Sequence, residues 1–170
     1  MNEQFAPGTH IRCGSYGVCL IDRMEEVIYP DGDARQCYVL KPVRSPNTEI
    51  SVPVGSGENL KPLLTKNEID KILADAASSE EIAWTPERKQ RGNQFRKILS
   101  DGDSFMLLRM VQCIRTQKKT LESAGKRLSA SDDNVRRDAE RMLDEEFGFS
   151  LGLSADEAKS YIAAHMNVKL

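Results

Sequence analysis

Long apolar runs are missing from the 170 residues. No window approaches the about 18 consecutive apolar positions that a membrane-spanning helix needs, which excludes a helical membrane span. The opening stretch MNEQFAPGTHIR has no basic cap followed by an apolar segment, so no secretory signal is expected. Cysteine is sparse, four in all (Cys13, Cys19, Cys37, Cys113), with no CxxC or other zinc spacing. Reduced thiols in a cytoplasm follow as the expectation, with no disulfide and no bound metal. Histidine is scarcer still, and His10 and His165 stand at opposite ends of the chain, so no HExxH or His/Cys cluster forms. Neither GxxxxGK[ST] nor GxGxxG occurs, and the Gly55-Ser56-Gly57 stretch lacks the lysine of a phosphate cradle. Gly14-Ser15-Tyr16-Gly17 offers a serine with no histidine placed to serve it. Asp101-Gly102-Asp103 lacks the remaining ligands of a calcium loop. The expectation is a chain that is not an enzyme and carries no cofactor. A net charge of only −2 excludes histone-like electrostatics for the whole molecule.

What is present is 29% charged and 39% hydrophobic, which suits a folded globular chain. Residues 1–64 read as strands: Ile11–Cys13, Val18–Met24, Val27–Tyr29, Gln36–Leu40 and Glu49–Val54, short β-rich runs broken by turn signals such as Pro30-Asp31-Gly32-Asp33. Pro53 marks the last of these as an edge or strand-end position, because proline cannot donate to a ladder. A small barrel or curled sheet follows as the expectation.

From Thr65 onward the period becomes helical. Thr65 and Glu68 make a capping box, Thr85-Pro86 marks a second start, Asp103 a third, Ser129 a fourth and Ser154 a fifth. Apolar stripes follow each: Ile69, Ile72, Leu73 and Ala76; Phe95, Ile98 and Leu99; Leu107, Met110, Val111, Ile114 and Leu121; Val135, Ala139, Met142, Leu143 and Phe147; Ala158, Tyr161 and Ile162. Gly148 to Gly152 punctuates the end of the fourth. The predicted fold class is α+β, a small N-terminal β domain over residues 1–64 followed by a bundle of about five helices over residues 65–170.

Charge is uneven along the chain. Residues 84–127 hold 11 basic and 4 acidic side chains, net +7, while the other segments are all negative. Two readings are open: solvated helix faces paired with the acidic helix that follows, or a phosphate-contacting surface. The single tryptophan, Trp84, precedes this run. It reads either as a core anchor or as a loop aromatic that wedges into nucleic acid.

Phe5, Gly8, Gly17 and Val18, then Tyr38-Val39-Leu40, Val52-Pro53-Val54, Leu60, Trp84, Asn93, Gly102-Asp103 and Leu128-Ser129 form an ordered set, continued by Ala139, Met142 and Leu143. Over about residues 5–150 this set resembles the CarD/CdnL family of bacterial transcription regulators. It matches that family's opening F-x-x-G-D and H-G-V-G pattern, its Y-V-L and V-P-V strands, its lone tryptophan and its L-S helix. The departures are local: Thr9 stands for an aspartate, Cys13-Gly14 for Tyr-Pro, Ser51 for an arginine of some members, and TPERKQRG for the arginine-rich stretch after the tryptophan.

The resemblance implies a Tudor/SH3-like N-terminal domain that docks on the β subunit of RNA polymerase through a sheet edge at Thr48, Glu49, Ile50, Ser51 and Val52. It implies a helical domain that meets promoter DNA in the minor groove, largely independently of sequence, through Trp84, Arg88, Lys89, Arg91, Arg96 and Lys97. The function implied is stabilisation of the open promoter complex by a monomeric, cytoplasmic, nucleoid-associated protein. The alternative is a protein-only adaptor of the same fold that binds polymerase or another partner without DNA.

Overall fold

A computed structural model describes residues 4–56 and 60–166; residues 1–3, 57–59 and 167–170, Gly57 of the loop above among them, lie outside the described residues. The chain is α+β and divides into two units, residues 1–63 and 64–170. The break falls one residue before the expected 64/65 boundary because Leu64 packs on the helical core.

The first unit is a five-stranded antiparallel sheet: β1 (His10–Cys13), β2 (Gly17–Ile28), β3 (Ala34–Pro42), β4 (Ile50–Pro53) and β5 (Leu60–Pro62), in the order β4-β3-β2-β1-β5. The runs Val18–Met24 and Val27–Tyr29 are one strand, not two. Glu25 and Glu26, which look like a break in an apolar pattern, pair with Cys37 and Gln36 across the ladder. Charged side chains are tolerated there because that stretch of β2 is only half covered. A register shift between Ile21 and Arg23 turns the strand as it leaves its pairing with β1. The turn after it is as expected, with Gly32 at φ 88° donating its N–H to Tyr29 O at 2.8 Å. Ile11, Cys19, Ile21, Tyr38, Leu40 and Leu60 form the sheet's core. Leu60–Pro62 was not legible as a strand, since three residues carry no period. All four cysteines are buried, and none is in a disulfide.

Among its described residues the second unit holds five helices: α1 (Lys66–Ser78), α2 (Arg88–Asp101), α3 (Ser104–Ser123), α4 (Ala130–Leu151) and α5 (Ala155–His165). Local chemistry sets their ends. Thr65 and Ser154 each form a full capping box with Glu68 and Glu157, and Asp103 and Ser129 accept from Met106 N and Asp132 N. The second start is corrected: Glu87, not Thr85, caps α2, its carboxylate accepting from Lys89 N at 3.0 Å and Gln90 N at 2.6 Å. α4 ends within the expected Gly148–Gly152 stretch, at Leu151. Gly148 is a buried helical residue, and the left-handed cap is Gly152 at φ 67°. A Cβ on Gly148 would lie 2.9 Å from Leu153 O, so glycine there serves the close return of the chain. The apolar stripes converge on one core in which Ile69, Leu73, Phe95, Leu107, Met110, Ile114 and Phe147 are fully buried. Each such side chain contributes about 1.5–3 kcal/mol by leaving water. α3 and α4 run antiparallel, matched by Ser104 with Glu146, Arg115 with Glu140 and Lys118 with Asp133. Among the described residues no helix is long and apolar enough to cross a membrane.

Candidate functional site

Two surfaces carry the residues singled out above, one on each unit. On the sheet, β4 is an outer strand: Ile50, Ser51, Val52 and Pro53 pair with Leu40, Val39, Tyr38 and Cys37 of β3, and no described strand pairs on the other side. Ile50 and Val52 turn toward the sheet core and are half-buried, while Ser51 is exposed. This alternation leaves β4 anchored on one face and one edge; Val54 N–H bonds Gln36 O on the β3 side, so the opposite edge offers the backbone groups of Ser51, while Pro53 has no N–H and its carbonyl accepts from Ser56 Oγ at 2.8 Å.

Thr48 and Glu49 are not part of the strand. Thr48 closes a turn with its N–H on Ser45 O at 2.8 Å. Glu49 is held by Arg23 in a two-pronged pair, Nη1 to Oε1 at 3.0 Å and Nη2 to Oε2 at 3.1 Å. Arg23 also holds Asp22, which takes Lys41 at 3.0 Å. The Arg23 hydrogen bonds keep the Glu49 carboxyl below the usual carboxylate range, and Lys41 and Arg23 do the same for Asp22. The cluster fixes the chain as it enters β4. The outer strand at the other end of the sheet, β5, is only three residues long and ends in Pro62, which lacks an N–H.

On the helical unit, Trp84 lies in the connection before α2. It is half-buried, its ring 6.1 Å from Phe95 in an edge-to-face arrangement, with the Arg91 guanidinium 4.3 Å above its face. This packing is what the core-anchor reading of Trp84 expects, and polar sequence neighbours hid a contact with a residue eleven positions later.

Arg91 is corrected, from phosphate ligand to buried structural cation. Its side chain and that of Asp132 are each only 8% exposed. Nε and Nη2 donate to the two Asp132 oxygens at 3.1 and 2.9 Å, and Nη1 donates to Thr85 O at 2.8 Å and Pro86 O at 3.1 Å. Burial works to raise the Asp132 carboxyl, but the Arg91 and Ser129 hydrogen bonds outweigh it and hold the group below its ordinary value. No sequence signal marks this pair, because its partners stand 41 residues apart.

The remaining cations divide. Arg115 and Lys118 face α4 carboxylates, at 2.7 Å from Glu140 and 3.6 Å from Asp133, as the paired-helix reading expects. Arg88, Lys89, Arg96 and Lys97 are exposed on α2. Arg96 donates to Asn93 at 2.6 Å and Lys97 meets Asp101 at 2.9 Å, whereas Arg88 and Lys89 have no ion pair among the described residues. Because Arg91 on the first turn of α2 grips Asp132 on the first turn of α4, those two helix starts are neighbours. Exposed Lys126 and Arg127, just before α4, therefore share this end of the unit with Arg88 and Lys89. Sequence reasoning counted Lys126 and Arg127 in the basic run but did not single them out. Glu87 takes the Lys89 and Gln90 amides of α2 and Ser129 takes the Asp132 amide of α4, which leaves fewer helix-end amides for an anion here.

No group of three or more His, Cys, Asp or Glu side chains suited to a metal occurs among the described residues. No protein-family model matches the chain, and no curated protein matches it.

Proposed function

We propose that the chain is a transcription regulator that docks on the β subunit of RNA polymerase by adding a partner strand to β4. The helical unit then holds promoter DNA near the melted region through phosphates and so stabilises the open complex. The observation that carries this reading is the one-sided pairing of β4, which leaves the Ser51 backbone groups on its outer edge for main-chain recognition of an extended segment. The DNA half is supported by four exposed cations at one end of the helical unit, Arg88, Lys89, Lys126 and Arg127, and by the resemblance to the CarD/CdnL family. Phosphate contacts of this kind position a protein without reading bases. Trp84, under Arg91, serves in this reading to fix the loop that leads into α2 rather than to wedge freely.

A second reading, the protein-only adaptor, is favoured by a specific observation: Arg91, Arg115 and Lys118 are spent on α4 carboxylates. The test is a pull-down with polymerase core, with and without promoter DNA, alongside open-complex lifetimes. The regulator is expected to bind core alone, to lose affinity on Ser51→Pro, and to lengthen the open-complex lifetime. Core binding with an unchanged lifetime selects the adaptor. Failure to bind core, or docking that ignores Ser51→Pro while the variant stays folded, overturns the β4 assignment.

A further inference from the structure

Cys13 and Cys19 flank the turn that joins β1 to β2, and neither surface above uses them. The ladder pairs Ile11 with Cys19 and Cys13 with Gly17, so the two cysteines are diagonal neighbours on one face of the hairpin. Gly17, directly opposite Cys13, has no side chain, which leaves the space across the ladder to the Cys19 thiol. Both thiols lie in the sheet core with Ile11, Ile21, Tyr38, Leu40 and Leu60. The Cys19 thiol reaches Gly17 O at 3.7 Å. A hydrogen bond from Cys19 also holds the Cys13 thiol below its ordinary value, against burial, which works to raise it. The two sulfurs therefore face each other. The other cysteines stand apart. Cys37 alternates with the core residue Tyr38 along β3 and lies 3.6 Å from Tyr29 Oη, while Cys113 belongs to α3, its thiol pushed up by burial. Arg44 closes the turn between Cys13 and Cys19, donating from Nη2 to Ser15 O and Tyr16 O at 3.4 Å each.

We propose that Cys13 and Cys19 form a two-coordinate site for a soft monovalent metal ion, copper(I), held between their sulfurs. The thiolate is the ligand, and soft thiolates select Cu(I) over hard cations. Diagonal neighbours across a ladder have Cα atoms about 7–8 Å apart, beyond the roughly 6.8 Å that a disulfide spans. A linear sulfur–metal–sulfur unit spans about 4.6 Å, taking a zinc–thiolate bond of about 2.3 Å as the scale, and so suits the wider pair. Binding replaces two S–H bonds with two metal–sulfur bonds and releases two protons to water, with no electron transferred. Two thiolates and one Cu(I) leave one negative charge, which the Arg44 guanidinium at the turn offsets. Zinc, which takes four ligands, finds two here, and the apolar surroundings offer no oxygen or nitrogen side chain to complete its shell beyond the Tyr38 hydroxyl, which accepts from Phe5 N. The inference is independent of the polymerase reading, since neither cysteine belongs to β4 or to the basic end of the helical unit.

The experiment titrates the reduced full chain with Cu(I) in the absence of oxygen, in competition with the chelator bathocuproine disulfonate. X-ray absorption then reads the bound ion in the wild-type chain. One ion per chain is expected, with two sulfur neighbours in a linear array. In a parallel NMR titration the shifted amides should centre on the β1–β2 hairpin. Cys13→Ser and Cys19→Ser should each weaken binding at least about 100-fold, because each removes one of two ligands, while Cys37→Ser and Cys113→Ser should leave it unchanged. Where serine in the core unfolds the sheet, Cys13→Ala and Cys19→Ala repeat the test with an apolar side chain. Affinity should rise with pH through the neutral range, as expected of a site that releases protons, and Zn(II) should not displace the copper. Three or more sulfurs around the ion, several ions per chain, shifts confined to other elements, affinity kept in the Cys13 and Cys19 variants, an equal loss in Cys37→Ser, or no Cu(I) drawn from the chelator overturns the proposal.

Discussion

Arg91 is held by four hydrogen bonds and one aromatic face, so its loss should be felt in folding before it is felt in any binding reaction. The sharper test removes its partner. Asp132→Ala leaves a guanidinium buried without its counter-charge, and breaking a buried pair from one side costs about 3–5 kcal/mol. Urea unfolding should show a loss of that order, whereas an exposed lysine such as Lys89, substituted the same way, should move stability by less than about 0.5 kcal/mol. The pH dependence has a definite sign. The folded Asp132 carboxyl lies below its ordinary value, so its stabilisation is full above the unfolded value of about 3.9 and is lost as pH falls through the folded value. Wild-type stability should therefore fall across that acid window, and Asp132→Asn should flatten this part of the fall. Trp84 follows the same logic. Truncating a fully buried tryptophan costs about 3–5 kcal/mol, and this one is half-buried, so Trp84→Ala is expected to cost about 2–3 kcal/mol, read from the same unfolding curves. A loss below about 0.5 kcal/mol would return Trp84 to the role of a free surface aromatic.

Element boundaries divide by the range of the physics that sets them. Capping is settled within four residues, and Thr65, Asp103, Ser129 and Ser154 all cap where the sequence shows a cap. Thr65→Ala should cost about 1 kcal/mol, because it strips a side-chain acceptor from Glu68 N and half of a reciprocal box. Thermal melting checks this, and Thr65→Ser should restore most of the loss. Thr85-Pro86 carries an equally good local signal and is overruled. The Thr85 and Pro86 carbonyls are engaged by Arg91, and the chain turns into α2 one residue later, at Glu87. The strands are harder to read for the same reason. β2 continues through Glu25 and Glu26 because β3 lies alongside, and β5 exists only because β1 offers Arg12 and Cys13 as partners for Lys61 and Leu60. The polymerase-docking candidate was legible in part: Pro53 flagged an edge, but placing Thr48 and Glu49 in the turn ahead of the strand needed the Arg23 contact from β2.

At the scale of the whole molecule, a net charge of −2 conceals a segment of +7, and pairing decides how much of that excess reaches solvent. The excess itself is plain in the sequence. Which cations remain available is not, since Arg91, Arg115 and Lys118 are neutralised by carboxylates 41, 25 and 15 residues further along the chain. If the end formed by Arg88, Lys89, Lys126 and Arg127 holds DNA, replacing all four with glutamine should weaken binding across unrelated sequences alike. It should also lower the slope of log affinity against log salt by about 0.9 for each phosphate no longer neutralised, or roughly 3–4 in all. Because the four side chains are exposed, the melting temperature should hold within about 2 °C. Arg115→Gln provides the contrast, since a cation already paired with Glu140 should change stability and leave the salt slope where it was. A slope unchanged by the fourfold replacement, measured by fluorescence anisotropy on a duplex and on a premelted bubble, would leave the helical unit as a protein-binding module. The function would then rest on the β4 edge alone.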